Sequence, residues 1–194
     1  MKKIVITILI AAVLLYCAAW GLNGIAAENA QKEHLWLMQT LLPGSESFTV
    51  VPYDGEDNNI RSVHEAENGF VIQTVTYGYA GDITMSIGVS KDGKVTGLVV
   101  EDMSETFGLG ANALTDHVFL SQFLNSTGSF AVATAGADAF SGATAAAEPE
   151  GNTVDVDAIS GATVTSKAVV RCVNSAVAYV TGADAVSGAT SWGG

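Results

Sequence analysis

Three copies of one seven-residue phrase, Asp-Ala-x-Ser-Gly-Ala-Thr, each end on a hydroxyl that follows a turn of small residues. The copies lie at residues 138–144, 157–163 and 184–190. Only the middle copy is followed by a long stretch whose apolar residues recur at helical spacing. Because a helix start has backbone N–H groups without intrahelical partners, such a position suits a phosphate. The pattern makes the helix start at Thr163 a candidate phosphate site.

The residues just before Thr163 allow another group to come close. Ser160 is the expected helix cap, and Gly161 lets the backbone turn tightly. The field of an exposed helix end contributes only about 0.3–1 kcal/mol to phosphate binding. That field alone would not hold a ligand, whereas a covalent bond to the Thr163 hydroxyl would. From these residues alone, a plain capped helix start is the preferred interpretation.

A second candidate site lies at residues 105–110, with the sequence Glu-Thr-Phe-Gly-Leu-Gly. Its two glycines allow an irregular backbone that another group can approach closely. Glu105 supplies a hydrogen-bond acceptor and Thr106 a donor. Taken by itself the segment is a weak signal, and a plain turn is the simpler interpretation.

The elements that position these residues follow from the patterning of apolar and turn residues. The sequence predicts helices at residues 28–42, 114–124 and 165–180, and strands at 69–79, 83–90, 94–101 and 130–133. Residues 50–68 indicate a strand and loops, and residues 135–152 indicate a loop. The Asp-Gly pair at residues 92–93 predicts a hairpin. The expected fold class is α+β, with a small twisted, mainly antiparallel sheet and packed helices.

Apolar spacing also predicts which helical side chains are buried. In the short helix we expect Val118, Leu120 and Phe123 to face the core. In the last helix, Val164 and Cys172 belong to one apolar stripe, so packing is the expected role of the cysteine. Gly182 is expected to end this helix.

An uncharged, mostly apolar segment occupies residues 4–27. A helix of this length spans about 36 Å, enough for a hydrocarbon core of about 30 Å. Two lysines precede it and Glu28 follows, so the positive-inside rule predicts a cytoplasmic N-terminus and a domain on the outer side. A cleaved signal peptide is the alternative. Cys17 raises the further alternative of a lipoprotein, although the bulky residue before it disfavours one.

Composition excludes several classes of function. The formal net charge is −12, from 8 Lys and Arg against 20 Asp and Glu, so no basic patch exists for nucleic acid. Neither a metal site nor a nucleophile–His–acid order is predicted. The residues considered and set aside are His34, His64, His117, Asp54, Glu56 and Asp57.

The two candidate sites together resemble the FMN-binding domain of the G subunit of Rnf complexes. The related C subunit of sodium-pumping NADH:quinone reductase shares the pattern. Further matches are Leu-Leu-Pro-Gly at 41–44, Gly-Tyr-x-Gly at 78–81 and the hairpin at 92–93. The resemblance covers nearly the whole chain. In its short length the chain is more similar to the Rnf G subunit than to the longer quinone-reductase subunit.

This resemblance implies a covalent flavin. In the family, the last Thr of Ser-Gly-Ala-Thr carries FMN through a phosphoester, installed outside the membrane by a flavin transferase that uses FAD. Thr163 is the implied acceptor, and Asp157 belongs to the phrase that the transferase recognises. The implied FMN-binding residues are Glu105, Thr106, Gly108, Leu109, Gly110, Ser160, Gly161, Ala162, Thr163, Val164 and Thr165.

The resemblance also implies the function and its setting. The chain would be an electron-transfer subunit of a membrane-bound ion-translocating ferredoxin:NAD⁺ oxidoreductase, without independent substrate turnover. Its partners would be the other membrane subunits, the flavin transferase and the lipid bilayer of the cell membrane. The expected parts are a cytoplasmic N-terminus and transmembrane helix at 1–27, an extracytoplasmic FMN-binding domain at 28–181, and a C-terminal tail at 182–194.

Several alternatives stay open at this point. The family usually has Pro at Phe107 and often His at Met103; Phe107 could stack on the isoalloxazine or pack inward. Thr144 and Thr190 end the other two copies of the phrase, as drifted sequence or as additional flavin acceptors. The alternative functions are an FMN shuttle for quinone reduction or extracellular electron transfer, and a membrane-anchored binding module without redox activity.

Overall fold

A computed structural model describes residues 16, 28–105, 110–133 and 153–182 of the chain. The chain divides into two compact units, Met1–Leu37 and Met38–Gly194. In the first unit, residues 28–37 are helical, and Lys32 pairs with Glu28 at 2.8 Å. Helix α1 comprises residues 28–41. No helix among the described residues has the length and apolarity needed to cross a membrane. The segment 4–27 predicted to do so lies outside them, Tyr16 apart.

The second unit contains a five-stranded antiparallel sheet whose strands follow one another in chain order. Strands β3 (Gly69–Tyr77) and β4 (Asp82–Ser90) pair over nine positions, from Gly69 with Ser90 to Tyr77 with Asp82. The turn between β4 and β5 contains Gly93 at φ +81°, which confirms the predicted hairpin. The strands are β1 (Thr49–Val51), β2 (Ile60–Glu65), β3 (Gly69–Tyr77), β4 (Asp82–Ser90) and β5 (Val95–Met103).

Three further helices and a two-stranded parallel sheet follow the hairpin in the described part of the chain, so the α+β prediction is confirmed. Helix α4 (Thr163–Thr181) contacts β3, β4 and β6 (Ser129–Ala133) and shares one core with the large sheet. Gly182, in the left-handed conformation at φ +70°, ends α4 as predicted. The remaining elements are α2 (Gly110–Thr115), α3 (His117–Ser121), β6 (Ser129–Ala133), β7 (Thr153–Asp157) and α4 (Thr163–Thr181).

The apolar stripe of α4 forms the centre of this core. Cys172 is fully buried, in agreement with its predicted packing role. The same burial raises the pKa of its thiol above the ordinary value. Val164 was expected on the same stripe, and this prediction is wrong because its side chain is 48% exposed. Val164 belongs to the first turn of α4, which lines a surface cavity rather than the core.

The region predicted as one helix over residues 114–124 contains the last two residues of α2 and the whole of α3. The Asp116 carboxylate caps α3 by accepting hydrogen bonds from Val118 N at 2.8 Å and Phe119 N at 3.1 Å. A side-chain cap starts a new helix and so breaks the predicted one. Val118 is consequently 77% exposed, contrary to prediction, and Phe119 is buried in its place. Of the other two side chains expected in the core, Phe123 is fully buried and Leu120 is partly buried against it.

An asparagine joins α4 to strand β6. Asn174 Oδ1 accepts from Phe130 N at 2.8 Å, and its Nδ2 donates to Phe130 O at 2.9 Å. We expect Asn174→Ala to lower the free energy of unfolding by about 1–2 kcal/mol, since it leaves both backbone groups without these partners. Chemical denaturation would measure this change. The control is Asn68→Ala, because Asn68 is exposed and its side chain makes one long hydrogen bond of 3.4 Å within the described part of the chain. Equal losses in the free energy of unfolding for the two variants would contradict the conclusion that Asn174 joins α4 to β6.

Candidate functional site

The start of α4 is a turn that exposes a hydroxyl. Gly161 adopts φ +80°, a left-handed conformation that favours glycine. Ala162 N donates to Ile159 O at 2.9 Å and closes the turn. Ala162 is also the N-terminal cap of α4, so the predicted cap at Ser160 is wrong. The left-handed glycine delays the helix, which leaves Ser160 exposed in the turn and Thr163 exposed as the first helical residue.

A buried serine holds this turn from behind. Ser166 Oγ donates to Ala162 O at 3.0 Å and accepts from Ile159 N at 3.2 Å. Ala162 makes no side-chain cap, and no acidic residue lies in the first turn of α4. The first N–H groups of a helix have no intrahelical acceptor, and their partial positive charge favours an anion. The start of α4 therefore combines an exposed hydroxyl at Thr163 with the partial positive charge of a helix end whose first turn contains no acidic residue.

Glu105 lies on the opposite side of the site, after the end of β5. Its Oε1 accepts a hydrogen bond of 2.6 Å from the backbone N–H of Tyr79. Its Oε2 is buried and has no hydrogen-bond partner among the described residues. Two glycines pack against this carboxylate: a Cβ on Gly78 would overlap Oε1, and a Cβ on Gly110 would overlap Oε2. Both positions therefore require glycine for the carboxylate to lie where it does.

These two regions border one cavity of about 430 Å³. Its size falls within the range of about 300–1,000 Å³ that small-molecule sites occupy. Gly110 lies between them, since a Cβ there would also be 3.0 Å from Thr165 Oγ1. The structure thus brings parts of the two predicted sites together across the fold. The lining residues are Tyr79, Glu105, Gly110, Gly161, Ala162, Thr163, Val164 and Thr165.

Four of the predicted site residues are not placed at the cavity. Thr106, Gly108 and Leu109 lie outside the residues that the structure describes. Ser160 is described but does not line the cavity. The cofactor-binding roles of all these residues stay predictions.

Tyr79 is a cavity residue that was not predicted from the sequence. Its side chain is 68% exposed on the turn between β3 and β4. The phrase Gly-Tyr-x-Gly at residues 78–81 could have indicated it, since two glycines around an aromatic residue suggest a turn under close packing. The phrase does not indicate that Glu105, which lies 26 residues after Tyr79, contacts this turn.

Comparison with known proteins identifies the family. The profile of the FMN-binding domain matches residues 78–178, just over half of the chain. The G subunit of an ion-translocating oxidoreductase complex from Methanosarcina acetivorans is 33% identical over 153 residues, covering 74% of this chain and 72% of that protein. The chain belongs to the FMN-binding domain family, among these G subunits.

This FMN-binding domain protein is also similar to a second G subunit and, more distantly, to one solved structure. The G subunit of the proton-translocating ferredoxin:NAD⁺ oxidoreductase complex of Clostridium ljungdahlii is 29% identical over 185 residues, covering 93% of this chain and 89% of that protein. The crystal structure of NqrC from Shewanella oneidensis aligns with a TM-score of 0.44 at 19% identity, over 70% of this chain and 64% of that one.

The residues at the cavity fit FMN. The positive end of α4 suits the phosphate group, which would lie beside the Thr163 hydroxyl. The unpartnered Glu105 Oε2 is a buried acceptor that a ring N–H could satisfy. Exposed Tyr79 and Val164 offer apolar surface for a planar ring.

Proposed function

We propose that this chain carries FMN covalently on Thr163 and transfers electrons within a membrane-bound ion-translocating ferredoxin:NAD⁺ oxidoreductase of the Rnf type. The observation that carries the proposal is the exposed hydroxyl at the start of α4, which shares a cavity with Glu105. The relatives named as G subunits of such complexes support the same function.

Attachment is a transfer of FMN from FAD by a separate flavin transferase. The Thr163 oxygen forms a bond to the phosphorus of the FMN moiety, the pyrophosphate bond of FAD breaks, and AMP leaves. The hydroxyl proton is lost in the same step. Gly161 and Ala162 leave the hydroxyl accessible, because neither has a side chain larger than a methyl group. The N-terminal end of α4 then stabilises the remaining negative charge of the phosphodiester.

Bound FMN would supply the electron-transfer chemistry. The chain itself holds and orients the group. Thr163 would fix the phosphate end, and Glu105 and Thr165 line the same cavity. A covalent link also keeps the group on the protein on the outer side of a membrane, where a released flavin would diffuse away. No separate substrate need bind to this chain.

The proposed setting follows from the N-terminal segment. Residues 1–27 would provide a cytoplasmic N-terminus and a single membrane-spanning helix, residues 28–181 the extracytoplasmic FMN-binding domain, and residues 182–194 a tail. In this arrangement the lipid bilayer and the other membrane subunits of the complex are the direct partners, and electrons enter and leave through those subunits.

A host strain that lacks this chain tests the function. Its membranes should lose ferredoxin-dependent NAD⁺ reduction, and the wild-type chain should restore the activity. The physical reason is that removal of one carrier interrupts the electron path. Unchanged ferredoxin-dependent reduction together with lost quinone reduction would contradict this proposal and favour the alternative of a quinone-linked shuttle.

A further inference from the structure

Tyr77, the last residue of β3, and Tyr79, on the turn that follows, differ in their relation to the cavity. Tyr77 is 63% exposed and Tyr79 is 68% exposed. Tyr79 lines the cavity, whereas Tyr77 does not. An aromatic ring that is largely exposed beside a cavity loses the packing that its apolar area could gain. A planar ligand in the cavity would supply that packing to Tyr79.

Three hydrogen bonds hold the backbone around Tyr79. Arg171, on α4, donates from Nη2 to Tyr77 O at 2.8 Å. Glu105 Oε1 accepts from Tyr79 N at 2.6 Å. Gly78 N donates to Gly81 O at 2.8 Å and closes the turn. The backbone at Tyr79 is therefore held in place, and its largely exposed side chain remains accessible.

Glu105 is itself held in one place. Its carboxylate fits between the glycines at positions 78 and 110, which leave no room for a Cβ. One oxygen holds the Tyr79 turn, and the other is the buried acceptor that lacks a partner among the described residues. Because a charged hydrogen bond is stronger than a neutral one, the contact with Tyr79 N is a firm anchor for the turn.

We propose that Tyr79 is the face on which the isoalloxazine ring of bound FMN stacks, and that Glu105 is the positioning residue that holds it there. This inference rests on the proposed function. Offset stacking of aromatic rings is favourable beyond the area that they bury. Stacking also has an optical consequence: a phenol in contact with an excited flavin transfers an electron to it and receives it back, which quenches the flavin fluorescence.

The fluorescence yield of the flavin-loaded protein tests the contact without any measurement of activity. We expect Tyr79→Leu to raise the fluorescence yield per bound flavin several-fold, because the quenching phenol is gone. The matched control is Tyr77→Leu, which removes a similarly exposed tyrosine two residues away, together with its long hydrogen bond of 3.4 Å to Ala80 O, and should leave the yield unchanged. Loaded proteins in which both variants fluoresce like wild type would overturn the inference while leaving the proposed function intact.

Two variants of Glu105 test the positioning role. Glu105→Ala removes the acceptor for Tyr79 N–H, so the yield should rise toward that of Tyr79→Leu. Glu105→Gln retains an acceptor oxygen of similar reach and should stay near the wild-type yield. A general loss of structure would not be rescued by Gln in this way. If Glu105→Ala leaves the yield at the wild-type value, Glu105 does not position Tyr79.

The two levels of the proposal fail in different ways. A wild-type protein that acquires no flavin when produced with a flavin transferase would overturn the proposed function and this inference with it. A flavin-loaded wild-type protein whose fluorescence equals that of free FMN would overturn the stacking alone.

Discussion

Thr163→Val is expected to remove the covalent flavin from this protein entirely. Valine has nearly the same shape as threonine but offers no oxygen to bond the phosphorus of FMN. The side chain at this position is exposed, so the free energy of unfolding should change by no more than about 0.5 kcal/mol. In-gel flavin fluorescence after denaturation measures the loss. In the host, ferredoxin-dependent NAD⁺ reduction should fall to the level of a strain without the chain.

Two further variants separate the hydroxyl of Thr163 from other causes. Thr181→Val removes a hydroxyl from the opposite end of the same helix, where Oγ1 donates to Val177 O at 2.9 Å, and should leave the flavin in place. Thr163→Ser keeps a hydroxyl and should retain some flavin. Undiminished covalent flavin on the Thr163→Val protein would show that the acceptor lies elsewhere.

The second large effect is expected from Gly78→Ala. The added Cβ would overlap Glu105 Oε1 and lie 2.7 Å from Ile83 Cδ1. Glu105 must then move, which breaks its hydrogen bond to Tyr79 N, and the buried Ile83 must repack. Overpacking together with the loss of a charged hydrogen bond should lower the free energy of unfolding by about 3 kcal/mol. Chemical denaturation of the flavin-free protein measures this loss.

A double-mutant cycle identifies the source of that loss. In Gly78→Ala combined with Glu105→Ala, the carboxylate that the new Cβ would strike is absent. The double variant should therefore be more stable than the sum of the two single effects predicts. Strict additivity would mean that the glycine is required for a reason other than its contact with Glu105.

The parts of the fold that local chemistry determines were predictable from the sequence. Asp92-Gly93 between two alternating runs indicated the β4–β5 hairpin, because glycine alone readily adopts the left-handed conformation found there. The apolar spacing of α4 likewise identified its buried stripe, including Cys172. Gly182 ended that helix for the same conformational reason as Gly93.

Other features depended on competition between local signals. Asp116 was hidden inside a plausible helix, yet its carboxylate caps a new one and moves the buried position from Val118 to Phe119. Ser160 has the side chain of a good cap, but the left-handed Gly161 after it starts the helix later. In the first place a side-chain hydrogen bond outweighed the local sequence pattern, and in the second a backbone conformation did so.

The site could be predicted only in part for a related reason. Thr163 and Glu105 were named from their motifs, and the structure places both at one cavity. Tyr79 was missed because its role depends on a hydrogen bond to a residue 26 positions away. Contacts of that kind arise from the pairing of β3 with β4 and of β4 with β5, which brings the ends of distant segments together.

Peptide mapping by mass spectrometry of the protein from its native membranes tests the central claim most directly. The proposal predicts a mass increment of one FMN less one water on the peptide that contains Thr163. Thr144 and Thr190 lie outside the described residues, and cleavage after Glu150 and Lys167 places each of them on a different peptide from Thr163. A flavin increment confined to either of those peptides, or a protein without any covalent flavin, would contradict the assignment of Thr163.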